Sequence, residues 1–410
     1  MDLHTGTPLW LAHRSSRLPR RALRRDQACD VAIIGAGITG ALVARELTDA
    51  GLHVVILDKR AAGCGSTAAS TGLLLYQPDT SLAELSRLHG LSAARRVYQL
   101  GRNAIREIGE LARELHIECG WQARRTLYVA RRPRDVRPLR TEARYTRRIG
   151  FPVAALRGSA LDERYGLSAP AALLAPGAGQ VNAFALTRGL LRHCARHRLF
   201  RYFQNTRARS MREDRDTVTV ATAAGPCVRA RWVVVAAGYE ARRFIPSPLV
   251  RFQSTYVIAS PPFRPDRLAP LRCLMWETAR PYFYLRTTTD HRVVFGGGDE
   301  PFTNPSRRDR LLHAKTRWLE RRFAELFPDL AFRADYAWTG TFAETVDGLP
   351  FIGRATPGSR ILHALGYGGN GITFSQIAAR ILRDLCLGKP NRDAALFAFD
   401  RMGKTPKPPR

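Results

Sequence analysis

The stretch DVAIIGAGITGALVARELTDAGLHVVILDKR, residues 30–60, decides the fold class. Its apolar run 31–34 predicts a short buried strand, after which Gly35, Gly37 and Gly40 form the pattern G-x-G-x-x-G. Apolar residues at helical spacing follow, and a second apolar run predicts another buried strand. A strand, a glycine turn, a helix and a strand within about 30 residues are typical of a dinucleotide-binding unit.

Each glycine has its own task in such a unit. Gly35 permits the tight turn, Gly37 lets the backbone approach a pyrophosphate, and Gly40 lets the helix pack closely on the strand. The start of the helix, with Ile38 and Thr39, offers unpaired N–H groups and a positive dipole end to the same pyrophosphate. The motif by itself leaves open whether the ligand is NAD or FAD.

An acidic residue ends the second predicted strand. Asp58 lies about 20 residues after the first glycine, where a carboxylate can accept hydrogen bonds from the adenosine ribose. Lys59 follows it directly. We expect both residues to contact the dinucleotide.

Length and composition indicate a folded protein of two or three domain-sized units, with 410 residues and an apolar fraction of 45%. No run approaches the roughly 18 consecutive apolar residues of a membrane helix, and the N-terminus lacks the basic region of a signal peptide. The seven cysteines are scattered and never form C-x-x-C. We therefore expect a cytoplasmic protein with no transmembrane segment, no disulfide framework and no resident metal.

The charge is unusual. The net charge is +30, and 60 of the 65 basic residues are arginine. We attribute this skew to a GC-rich coding sequence rather than to a nucleic-acid partner, because no RNA-binding motif accompanies the charge. The alternative is an anionic partner, such as RNA, acidic lipid or an acidic substrate.

Two later segments bear on the identity of the dinucleotide. Residues 231–240, RWVVVAAGYE, predict a strand that ends at Ala237 and Gly238, where backbone can again lie against the ligand. In residues 347–388, a loop with four glycines runs directly into a predicted helix. A glycine loop at a helix N-terminus favours negative charge. A reduced flavin carries such charge at its N1–O2 edge and a nicotinamide does not, so the loop favours FAD.

These segments, in this order and spacing, resemble the D-amino-acid oxidase-like superfamily of FAD-dependent oxidoreductases, which includes glycine and sarcosine oxidases. Within it, the chain is most similar to the γ-glutamylputrescine-oxidoreductase-like branch. The resemblance covers roughly residues 28–400. It is carried by residues 30–60, GCGSTAASTG (63–72), DGLPFIG (347–353) and GYGGNGI (366–372).

The resemblance implies an α/β fold: a Rossmann-like FAD-binding domain of the glutathione-reductase type, with an inserted substrate domain of mixed or antiparallel β-sheet plus helices. The implied FAD-binding domain is discontinuous and comprises residues 28–80, 181–245 and 336–400. The implied substrate domain comprises residues 81–180 and 246–335. This division leaves residues 1–27 as an arginine-rich lead-in and 401–410 as a flexible tail.

The resemblance also assigns further residues to the FAD site. Those implied beside the flavin ring and ribityl chain are Ser66, Thr67, Ala68, Ala69 and Gly72. Ala208 falls where the backbone meets the adenine. Those implied at the pyrimidine edge are Gly369, Asn370, Gly371, Ile372 and Thr373. For Asn370 an additional interpretation is a helix N-cap.

The chain departs from the family pattern in three places. Members with covalent flavin use a cysteine before the Asp-Gly segment or a histidine in the region of residues 63–72, and neither is present, although Cys64 is. We therefore expect noncovalent FAD. Glycine- and D-amino-acid-oxidase-like members hold the substrate carboxylate with arginines at the positions of Phe342 and Gly369, so a simple amino-acid oxidase is not favoured.

The remaining substrate candidates lie in one predicted strand. Tyr282, Tyr284 and Arg286 alternate and therefore share a strand face. Facing the flavin together with Phe342, they would offer an aromatic wall for an amine and a guanidinium for a carboxylate. The alternative is a packed aromatic strand with Arg286 at the surface.

The predicted function is FAD-dependent oxidation of a C–N bond in an amine or N-substituted amino acid, with dioxygen or an electron-transfer partner as the final acceptor. Since the flavin accepts the hydride, no dedicated catalytic side chain is required. Three alternatives stay open. They are C–O oxidation of a 2-hydroxy acid or glycerol phosphate, a flavin-dependent step on tRNA, and a non-catalytic flavoprotein subunit.

Overall fold

The computed structural model describes residues 3–12, 18, 21–244 and 249–403. In chain order, the strands of the described residues are β1 His4–Gly6, β2 Gln27–Ile34, β3 Val54–Leu57, β4 Leu73–Leu74, β5 Gln122–Ala130, β6 Ala154–Arg157, β7 Ala171–Gln180, β8 Phe200–Phe203, β9 Ala208–Glu213, β10 Val218–Thr222, β11 Cys227–Val235, β12 Val250–Ala259, β13 Leu274–Glu277, β14 Phe283–Thr287, β15 Val293–Pro301, β16 Tyr336–Thr345, β17 Phe351–Arg354 and β18 Ile361–Leu365. The α-helices are α1 Leu9–Ala12, α2 Ile38–Asp49, α3 Ser66–Ala69, α4 Leu82–His89, α5 Leu91–Glu114, α6 Val136–Arg148, α7 Ser159–Tyr165, α8 Ala183–Cys194, α9 Pro305–Leu326 and α10 Gly371–Cys386.

The first sheet has the predicted dinucleotide unit at its centre. Its strand order is β17-β18-β11-β2-β3-β8, with parallel pairing from β18 to β8 and the β9–β10 hairpin attached to β11. Val31 and Ile33 of β2 pack into a core that includes residues of α2, α8 and α10, whereas Ala32 packs on the other face with residues of β10 and β11. Both faces are covered, which explains the continuous apolar runs.

The second sheet is mostly antiparallel. Its order is β1-β16-β12-β15-β14-β13-β5-β7-β4, with β6 paired to β7, and β13 and β5 form a parallel pair. Helix α9 packs on it through Leu319 and Phe323, which belong to an apolar cluster with residues of β12 to β15. The two sheets confirm the predicted class, a Rossmann-like sheet combined with a second sheet and its helices. In the described part of the chain, no helix is both long and apolar enough to cross a membrane.

Strand pairing does not follow the predicted segment limits. β4 and β16 lie in the second sheet, although residues 28–80 and 336–400 were assigned to the FAD-binding domain. The lead-in 1–27 is also not separate, because β1 pairs with β16 and Trp10 is buried. Sequence motifs locate ligand contacts, whereas sheet membership depends on pairing between strands that are far apart in sequence.

The predicted tail 401–410 begins too early. Arg401 is buried, and its guanidinium pairs with the Asp347 carboxylate at 2.8 Å (Nε to Oδ2) and 3.1 Å (Nη2 to Oδ1). It also donates to the carbonyl oxygens of Phe397 and Leu349. Arg401 therefore anchors the end of the described chain to the Asp-Gly segment, and residues 404–410 lie outside the described residues.

Candidate active site

One cavity of about 760 Å³ is lined by residues of both sheets. In the first sheet it lies at the carboxyl ends of β2, β3 and β11, the edge where open parallel sheets bind ligands. In the second sheet it meets β4, β12, β13, β14 and β16. Its volume lies within the range of small-molecule and cofactor sites, roughly 300–1,000 Å³.

The three glycines of the G-x-G-x-x-G motif differ in their surroundings at one end of the cavity. Gly35 has a φ of +116°, and a Cβ there would lie 2.4 Å from the Ala236 carbonyl oxygen, so only glycine fits. Gly37 lines the cavity. Gly40 does not, and a Cβ on it would lie 1.9 Å from the Gly35 carbonyl oxygen. The third glycine therefore serves helix packing, the first serves the turn against Ala236, and the second leaves the cavity open to a ligand.

Asp58 lies at the end of β3 and lines the same end of the cavity. Its Oδ2 accepts a hydrogen bond from the Ala36 N–H at 2.6 Å, and its Oδ1 accepts one from the Arg60 N–H at 2.8 Å. Burial raises the pKa of this carboxyl group, although the two backbone donors oppose the rise. The backbone thus holds the carboxylate in place beside the cavity, as a ribose-binding role requires.

Lys59 also lines the cavity, but its ammonium is paired. Its Nζ lies 2.7 Å from Oε1 of Glu240, and the Arg60 guanidinium lies 2.9 Å from Oε2 of the same residue. Glu240 ends the segment RWVVVAAGYE and was not predicted from the sequence. The two cations hold the pKa of Glu240 below its usual range, although burial opposes them.

Most of the predicted FAD residues meet in this cavity. Those that line it are Gly35, Gly37, Ile38, Thr39, Asp58, Lys59, Ser66, Thr67, Ala69, Ala208, Ala237, Gly238, Gly369, Asn370, Gly371 and Ile372. Those that lie behind its wall are Gly40, Ala68, Gly72 and Thr373. The cause is local packing: a Cβ on Gly72 would lie 2.0 Å from the Val181 carbonyl oxygen, and Thr373 Oγ1 donates to the Leu75 carbonyl oxygen at 3.1 Å.

Several groups of this cavity fit an FAD. Ser66 Oγ is buried beside it and has no hydrogen-bond partner among the described residues, which leaves it free to bind a polar ligand atom. Asn370 precedes α10 without capping it, because its Nδ2 donates to the carbonyl oxygens of Leu75 and Gln77. The amides at the start of α10 therefore remain available to a negatively charged edge.

The opposite end of the cavity is aromatic. Tyr282, Tyr284 and Phe342 line it as predicted, and Trp276 joins them. The Tyr282 and Tyr284 ring centroids are 5.8 Å apart, and the Tyr284 hydroxyl lies 3.1 Å from Thr255 Oγ1. These rings offer a mostly apolar surface to a ligand between the two sheets.

Arg286 does not line the cavity, and it does not lie at the surface either. Its side chain is buried, and Nη1 donates to the carbonyl oxygens of Gly72 and Val181, both at 3.0 Å. The guanidinium carbon lies 5.0 Å from the centroid of the Trp10 ring. Strand alternation does put residues 282, 284 and 286 on one face of the sheet. However, Trp10 and the loop at Gly72 cover the part of that face where Arg286 lies. Loss of solvent lowers its pKa to about 9.

Sequence reasoning missed many polar residues of the cavity wall besides Glu240, among them Asp79, Tyr239 and Tyr367. Asp79 Oδ2 accepts a hydrogen bond from the Gly369 N–H at 2.6 Å. The Tyr239 hydroxyl donates to the Gly368 carbonyl oxygen at 3.1 Å. The tyrosines stand in segments already singled out for their glycines, whereas Asp79 has no motif around it.

A group of possible metal ligands lies outside the cavity. His193 and His197 have the spacing H-x-x-x-H near the end of α8, and with Asp49 they bring one ligand atom each within 4.8 Å of one another. This spacing was overlooked in predicting no metal. The Asp49 carboxylate is already paired with the Arg45 guanidinium at 2.8 Å, so a cation there would compete with an arginine.

Comparison with known proteins agrees with this geometry. The family model described as FAD dependent oxidoreductase (DAO) matches residues 30–385. The γ-glutamylputrescine oxidoreductase of Escherichia coli K12 is 26% identical, covering 100% of this chain and 94% of that protein. The glycine oxidase of Geobacillus kaustophilus is 28% identical, covering 91% and 97%. The crystal structure of a G. kaustophilus glycine oxidase superposes with a TM-score of 0.76 at 24% identity, covering 92% and 99%. The chain therefore belongs to the DAO family and is an FAD-dependent oxidoreductase.

Proposed function

We propose that this enzyme oxidises a C–N bond in an amine or an N-substituted amino acid. The observation that carries the proposal is the single cavity, which joins the glycine end of the first sheet to an aromatic end at the second. A substrate at the aromatic end would lie beside the part of the cavity expected to hold the flavin ring. Relatives named for γ-glutamylputrescine and for glycine support nitrogen-bearing substrates.

The residues that would hold FAD follow from the cavity wall. Gly37 would leave room for the pyrophosphate at the turn that Gly35 permits, Asp58 would accept from the ribose, and the start of α10 would meet the pyrimidine edge. FAD bound in this way would accept a hydride from the substrate carbon while the nitrogen loses a proton to solvent, so that the C–N bond would become C=N and water would then hydrolyse the imine.

The aromatic end supplies the conditions that this oxidation needs. An amine reacts in its neutral form, because a protonated nitrogen has no lone pair to form the C=N bond. Rings such as those of Trp276, Tyr282 and Tyr284 exclude water and penalise the ammonium ion, which lowers the pKa of a bound amine. The wall therefore favours the reactive form without a dedicated base.

Anaerobic reduction of the bound flavin tests the reaction class. The purified holoenzyme is mixed, without oxygen, with amines, N-methylated amino acids, 2-hydroxy acids and glycerol phosphate, and flavin absorbance is followed. We expect bleaching by nitrogen compounds. Bleaching by hydroxy acids or glycerol phosphate alone would replace C–N with C–O oxidation, and bleaching by nothing would favour a non-catalytic subunit.

Two further measurements complete the assignment. Admitting air to the reduced enzyme separates an oxidase, which regains its colour within the turnover time, from an enzyme that requires an electron-transfer partner.

Binding of tRNA at two salt concentrations tests the alternative in which the +30 charge is functional. We expect weak binding of tRNA. Tight binding that falls steeply as the salt concentration rises would instead indicate an enzyme that acts on RNA.

A further inference from the structure

The two ends of the cavity differ in charge. Among its described lining residues, the basic side chains are Lys59, Arg60, Arg207 and Arg209, and all of them lie near the segments expected to hold the dinucleotide. At the aromatic end the charged lining residue is Asp79. Arg286, the predicted carboxylate partner, is behind the wall with Nη1 bonded to two carbonyl oxygens. This end therefore suits a cation better than a carboxylate.

Asp79 is held in place by backbone. Its Oδ2 accepts from the Gly369 N–H at 2.6 Å, and a Cβ on Gly369 would lie 2.9 Å from Oδ1 and 3.0 Å from Oδ2. No side chain at position 369 fits while Asp79 occupies this place. The carboxylate thus stands against the late glycine loop, where it borders both the expected flavin edge and the aromatic rings.

The surroundings of Asp79 add two further carboxyl groups and aromatic faces. Asp299 and Glu344 are close enough that Asp79 raises the pKa of each, with burial as the larger cause. Asp299 Oδ1 is buried and has no hydrogen-bond partner in the described structure. Burial also raises the pKa of Asp79, and the Gly369 N–H, Arg280 and Tyr282 oppose this rise. Arg280 donates to the Asp79 backbone carbonyl oxygen at 3.0 Å and lies over the Tyr282 ring.

Arg280 carries one positive charge, which does not neutralise all of the carboxyl groups around Asp79. It is an exposed side chain that does not line the cavity. It lies near three carboxyl groups, those of Asp79, Asp299 and Glu344. Arg251 also lies near Glu344. A ligand ammonium beside Asp79 would gain a charge-assisted hydrogen bond. It would also meet the faces of aromatic rings, which attract cations.

We propose that the substrate is an alkyl amine that carries a second, cationic nitrogen, and that Asp79 binds this distal ammonium. The inference rests on the proposed C–N oxidation. Asp79 does not bind the nitrogen that reacts, because a carboxylate beside an amine stabilises its protonated form, and that form cannot be oxidised. The substrate class is therefore a diamine or polyamine: one nitrogen at the flavin and the other at Asp79.

Matched substrates test this on the wild-type holoenzyme. Anaerobic flavin reduction is measured with α,ω-diamines of three to six carbons, with the monoamines of the same length, and with the ω-amino acids that carry a carboxylate in place of the second nitrogen. We expect the best diamine to half-saturate at a concentration roughly 10- to 100-fold below its monoamine, the range of a charged hydrogen bond. The ω-amino acid should be the poorest of the three.

The variant Asp79→Asn keeps an oxygen that can accept from the Gly369 N–H but removes the charge. We expect it to retain flavin and to lose the diamine preference, so that the diamine and the monoamine half-saturate at similar concentrations. Glu84→Gln, at an exposed carboxylate paired with Arg87, is the control and should keep the preference. If Asp79→Asn fails to hold flavin, the wild-type substrate series still decides.

The possible failures are distinct. A monoamine or an ω-amino acid that equals the diamine would overturn the role of Asp79 while leaving C–N oxidation intact. A diamine preference that survives in Asp79→Asn would also overturn it. A flavin that no nitrogen compound bleaches would overturn the proposed function itself, and this inference with it.

Discussion

The Nη1 atom of Arg286 lies 3.0 Å from the carbonyl oxygen of Gly72 and thereby ties β14 to the loop that follows α3. The same nitrogen bonds the Val181 carbonyl oxygen, so one buried guanidinium joins three segments of the chain. Two of these segments flank the cavity. Arg286 is therefore a structural residue that holds segments of the cavity wall together without lining the cavity.

Replacement of Arg286 by alanine should destabilise the protein. Two buried carbonyl oxygens would lose their donor, which we expect to lower the free energy of unfolding by about 2–5 kcal/mol and to reduce flavin content. Denaturant unfolding and the flavin-to-protein ratio measure both. Arg264→Ala, at an exposed ion pair with Asp266, should stay within about 1 kcal/mol of wild type. If the variant kept its full flavin content and only its KM rose, Arg286 would instead be assigned to substrate binding.

The flavin should be bound without a covalent link. Cys64, the cysteine in the segment 63–72, does not line the cavity, and burial raises the pKa of its thiol, which disfavours the reactive thiolate. Acid or heat should therefore release all of the flavin from the yellow protein. Flavin fluorescence that stays with the denatured chain on a gel would contradict this expectation.

Gly37 and Gly40 should fail in different ways. A side chain on Gly37 would enter the cavity, where a Cβ meets only Thr67 Oγ1 at 3.0 Å, so Gly37→Leu should give folded but colourless protein. Gly40→Ala would place a Cβ 1.9 Å from the Gly35 carbonyl oxygen. It should therefore cost stability, by about 1–3 kcal/mol. Circular dichroism, thermal unfolding and flavin content separate the two outcomes, and equal loss of flavin and of fold in both variants would refute the distinction.

Asp299 should make stability depend on pH. Burial raises its pKa from 3.8 to about 7, so the folded protein binds this proton more tightly than the unfolded chain does. Its contribution is fully present below pH 4 and is lost as the pH rises through about 7. We expect the free energy of unfolding of Asp299→Asn, minus that of wild type, to increase from pH 4 to pH 7. A difference that stays constant over this range would show that Asp299 ionises normally.

Local backbone requirements made the cofactor end predictable. Gly35 and Gly37 lie in a single turn whose geometry requires them. Asp58 directly follows a strand, and the Ala36 N–H that donates to its carboxylate is only 22 positions away in the sequence. Such contacts are formed by residues close in sequence, so their spacing alone identifies them. The comparisons confirm the FAD cofactor that the late glycine loop favoured and the fold class that the family resemblance implied.

The substrate end was predictable only in part. Alternation correctly placed Tyr282 and Tyr284 on the cavity, because strand geometry sets which side chains share a face. What covers that face depends on segments elsewhere in the chain, and Trp10 with the loop at Gly72 buries Arg286.

The sequence by itself thus determined the α/β class, the FAD cofactor and most of the residues predicted here that line the cavity. Only the tertiary structure decided which charged residues line the aromatic end of the cavity. It placed Asp79 against Gly369, 290 positions away, and removed Arg286 from the cavity. The physical reason is that the identity of a motif residue follows from local geometry, whereas the burial and pairing of an isolated charge depend on long-range packing.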